Sequence, residues 1–315
     1  MLSRTADHLF WMSRYIERAE SLARLLDVTW QMSLVPQSLA AANQNWNAII
    51  ALNSLEEKFA DRYSAVNAEN VLRFRVSDTG NHASILSCLR LTRENAHAVR
   101  GTITSEMWET MNATWLEARE RSFEQIANAG VGEFFDWVKM RSSLSRGTTL
   151  ATLLQDEAYH FIRLGTLLER ADNTARILDV KYFILLPRAS DVGSDLDMQQ
   201  WAQILRSVSA HRAYRWFYKD RRYKPWLVSE FLILKEQMPR SLLFTYNWIN
   251  LALDGLGELY GNRYVCHELA RETHRRLKNG DMEEIFQEGL HEFLQEFMAA
   301  NNRLSQSIAT TYNFP

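Results

Sequence analysis

The stretch YIERAESLARLLDV at residues 15–28 decides the fold, because the chain writes it again as LLERADNTARILDV at residues 167–180. At a fixed offset of 152, Glu17, Arg18, Ala19, Ala23, Arg24, Leu26, Asp27 and Val28 recur as Glu169, Arg170, Ala171, Ala175, Arg176, Leu178, Asp179 and Val180. Glu20 returns as Asp172 and Leu25 as Ile177, which keeps charge and bulk. Eight identities in fourteen aligned positions exceed what shared helical composition supplies, so the recurrence reads as an internal duplication.

Helical spacing puts Glu17, Glu20, Arg24 and Asp27 on one narrow stripe, with Ile16, Ala19, Leu22, Ala23 and Leu26 filling the adjoining apolar sector. The second copy places Glu169, Asp172, Arg176 and Asp179 in the same way. Arg18 and Arg170 fall at the margin of the apolar sector, where a guanidinium keeps its charge and must snorkel or find a carboxylate. Packing of the two copies about a pseudo-twofold axis would let Glu17 meet Arg170 while Glu169 meets Arg18. Three readings of the stripe stay open: a buried structural ion network, a carboxylate-rich functional cleft, or surface pairs one turn apart. The alanines four apart in each copy would let a second helix come close.

Working outward, Ser3 is the expected N-cap of a helix that carries the first copy to Pro36. A second helix is expected over about 43–65, a loop or broken helix over 66–83, and a helix resuming at Ser84 that Gly101 only dents. The Gly130-Val131-Gly132 and 142–147 stretches are expected to bracket a short helix at Phe134–Met140. A comparable order begins near Thr148, with its long helix ending before Pro187. Trp201, Ile204 and Leu205 answer Trp46, Ile49 and Ile50 at offset 155, and Phe231 and Ser241 answer Phe74 and Ser84 at offset 157. Helices at about 240–260, 262–278 and 281–311 close the chain. No alternating strand pattern occurs. The expected fold is a single all-α domain over 1–315, one helical bundle of two duplicated, pseudo-twofold-related halves at about 1–147 and 148–315.

Five prolines and twelve glycines in 315 residues favour long helices, and a hydrophobic fraction of 46% is ample for a core. A net charge of −2 exerts no global pull towards nucleic acid or anionic membrane. Two cysteines make no disulfide framework or zinc cage, and no segment reads as a signal peptide or membrane span. The expected compartment is a reducing cytoplasm.

The pair of E-R-A-[ED]-x-x-A-R-x-L-D helices resembles the Alpha-E family of bacterial proteins. RENAHAVRGTITSEMWETMN at residues 93–112 resembles a second segment of that family, R-E-N-A-R…E-x-W-E-x-x-N. The resemblance runs essentially end to end, with Ser13-Arg14 where the family has Gly-Arg and His97 where it favours Arg. It implies a helical protein found beside, or fused to, circularly permuted ATP-grasp amide ligases and transglutaminase-like proteins. The helical partner would then dock the ligase or present a peptide or amino-acid substrate, without catalysis of its own.

Residues 93–112 also form a polar group in their own right. Arg93, His97 and Arg100 share a helical face, with Glu94, Asn95, Glu106, Glu109 and Asn112 nearby, and the second half has no counterpart. The group is a candidate anion or partner site, set against an ordinary ion-paired helix. Glu157 and His160 have the i, i+3 spacing of dimetal bundles, but a second such pair is missing, and His267, Glu268 and His274 suggest no geometry, so no metal or cofactor is expected. Residues 211–226, HRAYRWFYKDRRYKPW, interleave basic and aromatic side chains. They read as an aromatic core edge with a basic rim, as a partner surface, or as a single-strand nucleic-acid platform, which the near-neutral charge disfavours. Phosphate-loop, dinucleotide and hydrolase-elbow motifs are absent. The alternatives to an accessory protein are an enzyme using the Glu/Arg stripe as an acid–base or electrostatic centre, and a nucleic-acid or regulatory binder using 211–226.

Overall fold

Both copies of the E-R stretch lie in the middle of long helices. The computed structural model describes residues 1–34, 39–51, 55–183, 195–219 and 222–315. Among them are sixteen helices and no strand. The first eight are α1 (Ser3–Ser33), α2 (Leu39–Ala51), α3 (Glu56–Ala60), α4 (Ala68–Val76), α5 (Ile85–Ala98), α6 (Ser105–Arg119), α7 (Phe123–Ala129) and α8 (Val131–Thr152). They are followed by α9 (Glu157–Phe183), α10 (Asp195–Ser207), α11 (His211–Tyr218), α12 (Pro225–Ile233), α13 (Leu242–Tyr260), α14 (Val265–Lys278), α15 (Met282–Glu288) and α16 (Leu290–Thr311).

The centre of the molecule is the contact between α1 and α9. Helix α1 also packs on α5 and α8, with α6 lying against both, while α9 packs on α13 and α16, with α14 lying against both. Ala19, Ala23, Ala171 and Ala175 are fully buried. The tightest approach is at Gly165, where an added Cβ would collide with the Phe10 carbonyl oxygen and Ser13 Oγ. A side chain there would force α1 and α9 apart.

Local chemistry sets the helix ends. Ser84, Thr104 and Ser241 cap α5, α6 and α13 with side-chain oxygens that accept backbone N–H groups. Ser122 and Gln125 make a reciprocal capping box on α7. Gly130 (φ +101°) joins α7 to α8, and Gly289 (φ +106°) joins α15 to α16.

Several sequence expectations need correction. Ser3 is already helical, and the cap position is Leu2, which gives no side-chain bond. The expected helix over 43–65 is two helices, α2 and α3. Half of the 66–83 stretch is the helix α4, capped by the Asn67 side chain, and the turn at Asp78-Thr79-Gly80-Asn81 follows it. The helix from Ser84 stops at Ala98, and Thr104 caps α6 as a separate helix. The short helix at Phe134–Met140 is the middle of the 22-residue α8, which runs straight through the serine-rich stretch. Gly289 splits the expected 281–311 helix. Pro36 and Pro187 lie outside the described residues.

Trp46, Ile49 and Ile50 on α2 are buried, as are Trp201, Ile204 and Leu205 on α10. Phe74 and Phe231 are core residues of α4 and α12. Among the described residues no helix is long and apolar enough to cross a membrane.

Candidate functional site: a buried glutamate–arginine cluster

At the α1–α9 contact the two E-R pairs engage reciprocally. Arg170 donates from Nε to Glu17 Oε1 at 2.9 Å and from Nη2 to Glu17 Oε2 at 3.1 Å. Arg18 donates from Nε to Glu169 Oε1 at 2.6 Å and from Nη2 to Glu169 Oε2 at 2.8 Å. Both are two-bond forks, the geometry in which a planar guanidinium binds a carboxylate best. The margin position of each arginine is therefore explained by its reach across to the facing helix.

Neither pair is isolated. Arg14, one turn before Arg18, donates to Glu169 Oε2 at 3.0 Å. Glu17 also accepts from Arg240 at 3.2 Å and from Arg146 at 3.2 Å. Arg240 continues to Glu20 at 2.7 Å, and Arg24 meets Glu20 from one turn along the same helix at 2.8 Å. Arg146 also contacts Glu20, and Ser142 Oγ donates to Glu20 Oε2 at 2.7 Å. Six guanidinium groups thus surround Glu17, Glu20 and Glu169, all three of which are buried.

Electrostatics follow from this crowding. Burial alone would push each carboxyl pKa up, but the surrounding arginines outweigh it. Arg18 and Arg14 hold Glu169 at about 2. Burial opposed by Arg170, Arg240 and Arg146 leaves Glu17 well below the usual carboxylate range. Burial and the neighbouring Glu17 both push Glu20 up, yet Arg240 and Arg146 bring it below its ordinary value. All three stay ionised at neutral pH, and both oxygens of each accept hydrogen bonds from side chains. A carboxylate so engaged has no basic lone pair to offer a substrate and no proton to give one.

The rest of the stripe makes simpler contacts. Arg176 pairs with Asp172 one turn away at 2.7 Å. Asp27 accepts from Lys139 at 2.7 Å, and Asp179 meets His291 Nδ1 at 2.6 Å and Gln295 at 2.8 Å. Sequence reasoning placed these charges on the stripe but missed Arg146, Arg240 and Ser142. Only Arg14, at helical spacing to Glu17 and Arg18, carried a readable signal.

A family model matches residues 1–312, and its description is a predicted alpha-helical domain with a conserved ER motif. The chain belongs to the Alpha-E family. Two E-R dipeptides of this Alpha-E chain, Glu17-Arg18 and Glu169-Arg170, meet in its interior. No curated protein and no solved structure matches it.

The other candidate residues of this Alpha-E domain lie apart from the cluster. Arg93 and Arg100 stack against Trp108, each 5.5 Å from its ring centre, and His97 lies 5.6 Å from the same ring. Arg93 also donates to Asn112 at 3.2 Å. Glu94 pairs with Arg90, Asn95 bonds His8, and Glu106 and Glu109 are exposed. Glu157 accepts from Tyr260 at 3.0 Å, while the His160 ring lies against Gly255. Buried His267 bonds the Leu253 carbonyl at 2.9 Å. Among the described residues no three His, Cys, Asp or Glu side chains form a metal-sized group. In 211–226, Tyr214 is buried, whereas Trp216 is 77% and Trp226 52% exposed, with Arg212, Arg215 and Lys219 exposed near them.

Proposed function

We propose that this protein is a non-catalytic accessory domain that works with an ATP-grasp-type amide ligase, either docking it or presenting a peptide or amino-acid substrate to it. The observation that carries this reading is the state of the buried cluster. Glu17, Glu20 and Glu169 are ionised, buried and fully engaged by arginines, which suits an electrostatic clasp and not an acid–base centre. The ligase, and the transglutaminase-like protein as a second partner, come from what the family resemblance implies.

The clasp also makes sense of a duplicated architecture. On this reading α1–α8 and α9–α16 are two copies of one eight-helix unit. In support, α2 and α10 each have 13 residues, α4 and α12 each have 9, α7 and α15 each have 7, and α8 and α16 each have 22. Two of the three positive-φ glycines among the described residues, Gly130 and Gly289, fall at the same joint. Each copy would give its Glu to the other's Arg, so that neither buries a charge without its partner.

The exposed face of α11 and the start of α12 is the docking surface this reading favours. Solvent-facing tryptophans among arginines are the side chains that dominate partner interfaces. The test is purification of the native protein from its own cells, with its stoichiometric companions identified. A co-purifying ATP-grasp ligase that is lost on Trp216→Ala/Trp226→Ala substitution supports the proposal. A protein that purifies alone, with a ligase from the same cells failing to bind it, removes the accessory role.

A further inference from the structure

Beside the cluster, between α1, α6, α8 and α9, lies a small cavity of about 20 Å³ lined by Arg146, Arg163, Thr149, Thr166, Met111 and Leu150, among others. Leu150 is 56% exposed, so the cavity opens to solvent at its edge. Its size admits one or two water-sized groups. A whole metabolite does not fit, but the head of a single acidic group does.

Arg163 sets this cavity apart. Every other arginine at the cluster is held by a carboxylate. Arg163 makes no hydrogen bond or ion pair among the described residues, and its guanidinium rests 5.3 Å from the ring centre of Trp248. It is partly buried, and burial together with nearby Arg170 and Arg146 disfavours its charge, against the pull of Tyr159 and Glu17. Arg163 therefore lines the cavity with a guanidinium whose N–H donors meet no acceptor side chain or carbonyl among the described residues. Thr149 and Thr166 donate to backbone carbonyls, at 2.9 Å and 3.0 Å, and neither is bonded to Arg163. The cavity lining holds two arginines and no carboxylate, so an anion is the species this corner lacks.

We propose that Arg163, with Arg146 beside it, forms a binding site for a compact oxyanion, a carboxylate or phosphoryl group carried on a body that stays outside the cavity. Trp248 offers the guanidinium its ring at 5.3 Å, a cation–π contact that leaves the N–H donors unspent. Arg146 adds charge from the cluster side. The site stands apart from the ligase-accessory reading, since it needs no protein partner.

The experiment is isothermal titration and thermal denaturation of the full chain at constant ionic strength. The probes are acetate, inorganic phosphate and an acetylated dipeptide with a free C-terminal carboxylate. The expected result is saturable binding that raises the melting temperature, weakened at least tenfold by Arg163→Gln and partly restored by Arg163→Lys. Phosphate binding without carboxylate binding assigns a phosphoryl ligand, and the reverse assigns a carboxylate; either supports the site. Without ligand, Arg163→Gln is expected to melt no lower than the native chain, because it removes an uncompensated charge. Leu150→Glu changes an exposed position and brings a tethered carboxylate to the cavity mouth, so it is expected to abolish the response even if Arg163→Gln folds poorly. Absence of binding by all three probes overturns the proposal, as does undiminished binding by Arg163→Gln or, should that variant not fold, by Leu150→Glu.

Discussion

Arg170 grips Glu17 through two hydrogen bonds, yet Glu17 does not depend on Arg170 alone. Its two oxygens also meet Arg240 and Arg146. Glu17 is the hub and Arg170 one spoke, so charge removal at the two ends of this bond has unequal consequences.

Glu17→Gln keeps the shape of the side chain but leaves three guanidinium groups facing a neutral amide. Breaking a buried pair from one side costs about 3–5 kcal/mol, and this substitution belongs at the upper end. Arg170→Gln leaves Glu17 still neutralised by Arg146 and Arg240 and should cost clearly less. Urea denaturation of the two variants measures the difference. A larger loss for Arg170→Gln would show that Glu17 is not the hub.

The same carboxylates set the response to acid. Each has a folded-state pKa below its unfolded value, so its stabilisation is fully present above the unfolded pKa and disappears as pH falls through the folded one. For Glu169 the window runs from the ordinary 4.5 down to about 2, and the lowering corresponds to roughly 3 kcal/mol. Stability should be flat near neutral pH, begin to fall below about 4.5, and fall less steeply in Glu169→Gln. Denaturation midpoints followed from pH 6 to pH 2 check this; parallel curves for the two proteins would exclude Glu169 as a source of the acid sensitivity.

The E-R helices were legible because their charges repeat at helical spacing within short windows, which locates Glu17 and Glu169 on charged stripes and Arg18 and Arg170 at the margin of the apolar sector. Arg146 and Arg240 were not, because each reaches the cluster from a distant segment. Arg146 sits in SSLSRG, whose serines and glycine favour a break when judged locally. Tertiary contact overrides that preference, since Ser142 and Arg146 both bond Glu20 and hold α8 helical. The dented helix at Gly101 went astray for the opposite reason. The apolar period resumes after it, but the Thr104 cap signals a new helix and not a continuation.

Ser142 tests that override directly. Ser142→Ala removes one donor to ionised, buried Glu20 while Arg24, Arg146 and Arg240 remain. Hydrogen bonds to charged groups contribute about 1.5–3 kcal/mol, and the remaining donors place this loss near the lower figure. Alanine's better helix propensity offsets a few tenths of it. A variant as stable as the native protein would mean that the bond does not hold α8 in place.

Cys88 and Cys266 are both buried. Burial pushes the Cys88 thiol up to about 12 in spite of Arg18 nearby, and burial also raises Cys266. Thiolate is the reactive form, so neither thiol should react with an aromatic disulfide reagent at neutral pH before the chain opens. Labelling rates that track urea unfolding bear this out. Rapid modification of either thiol in the native protein would contradict its burial.

Two glycines in long helices should respond in opposite directions to the same change. Gly147 lies exposed on α8, with nothing within 4 Å of an added Cβ. Gly147→Ala should therefore gain up to about 1 kcal/mol from helix propensity alone. Gly165→Ala has the same propensity gain available but drives a methyl group into the Phe10 carbonyl and Ser13 Oγ. The Phe10 carbonyl belongs to the α1 backbone and cannot swing aside, so α1 and α9 must separate. Separation stretches the Arg18–Glu169 and Arg170–Glu17 forks together, adding lost electrostatics to the overpacking cost of about 1–3 kcal/mol. Thermal melts of the two variants should move apart, Gly147→Ala upward and Gly165→Ala downward. A Gly165→Ala protein that melts at or above the native temperature would mean that the two helices do not cross this closely.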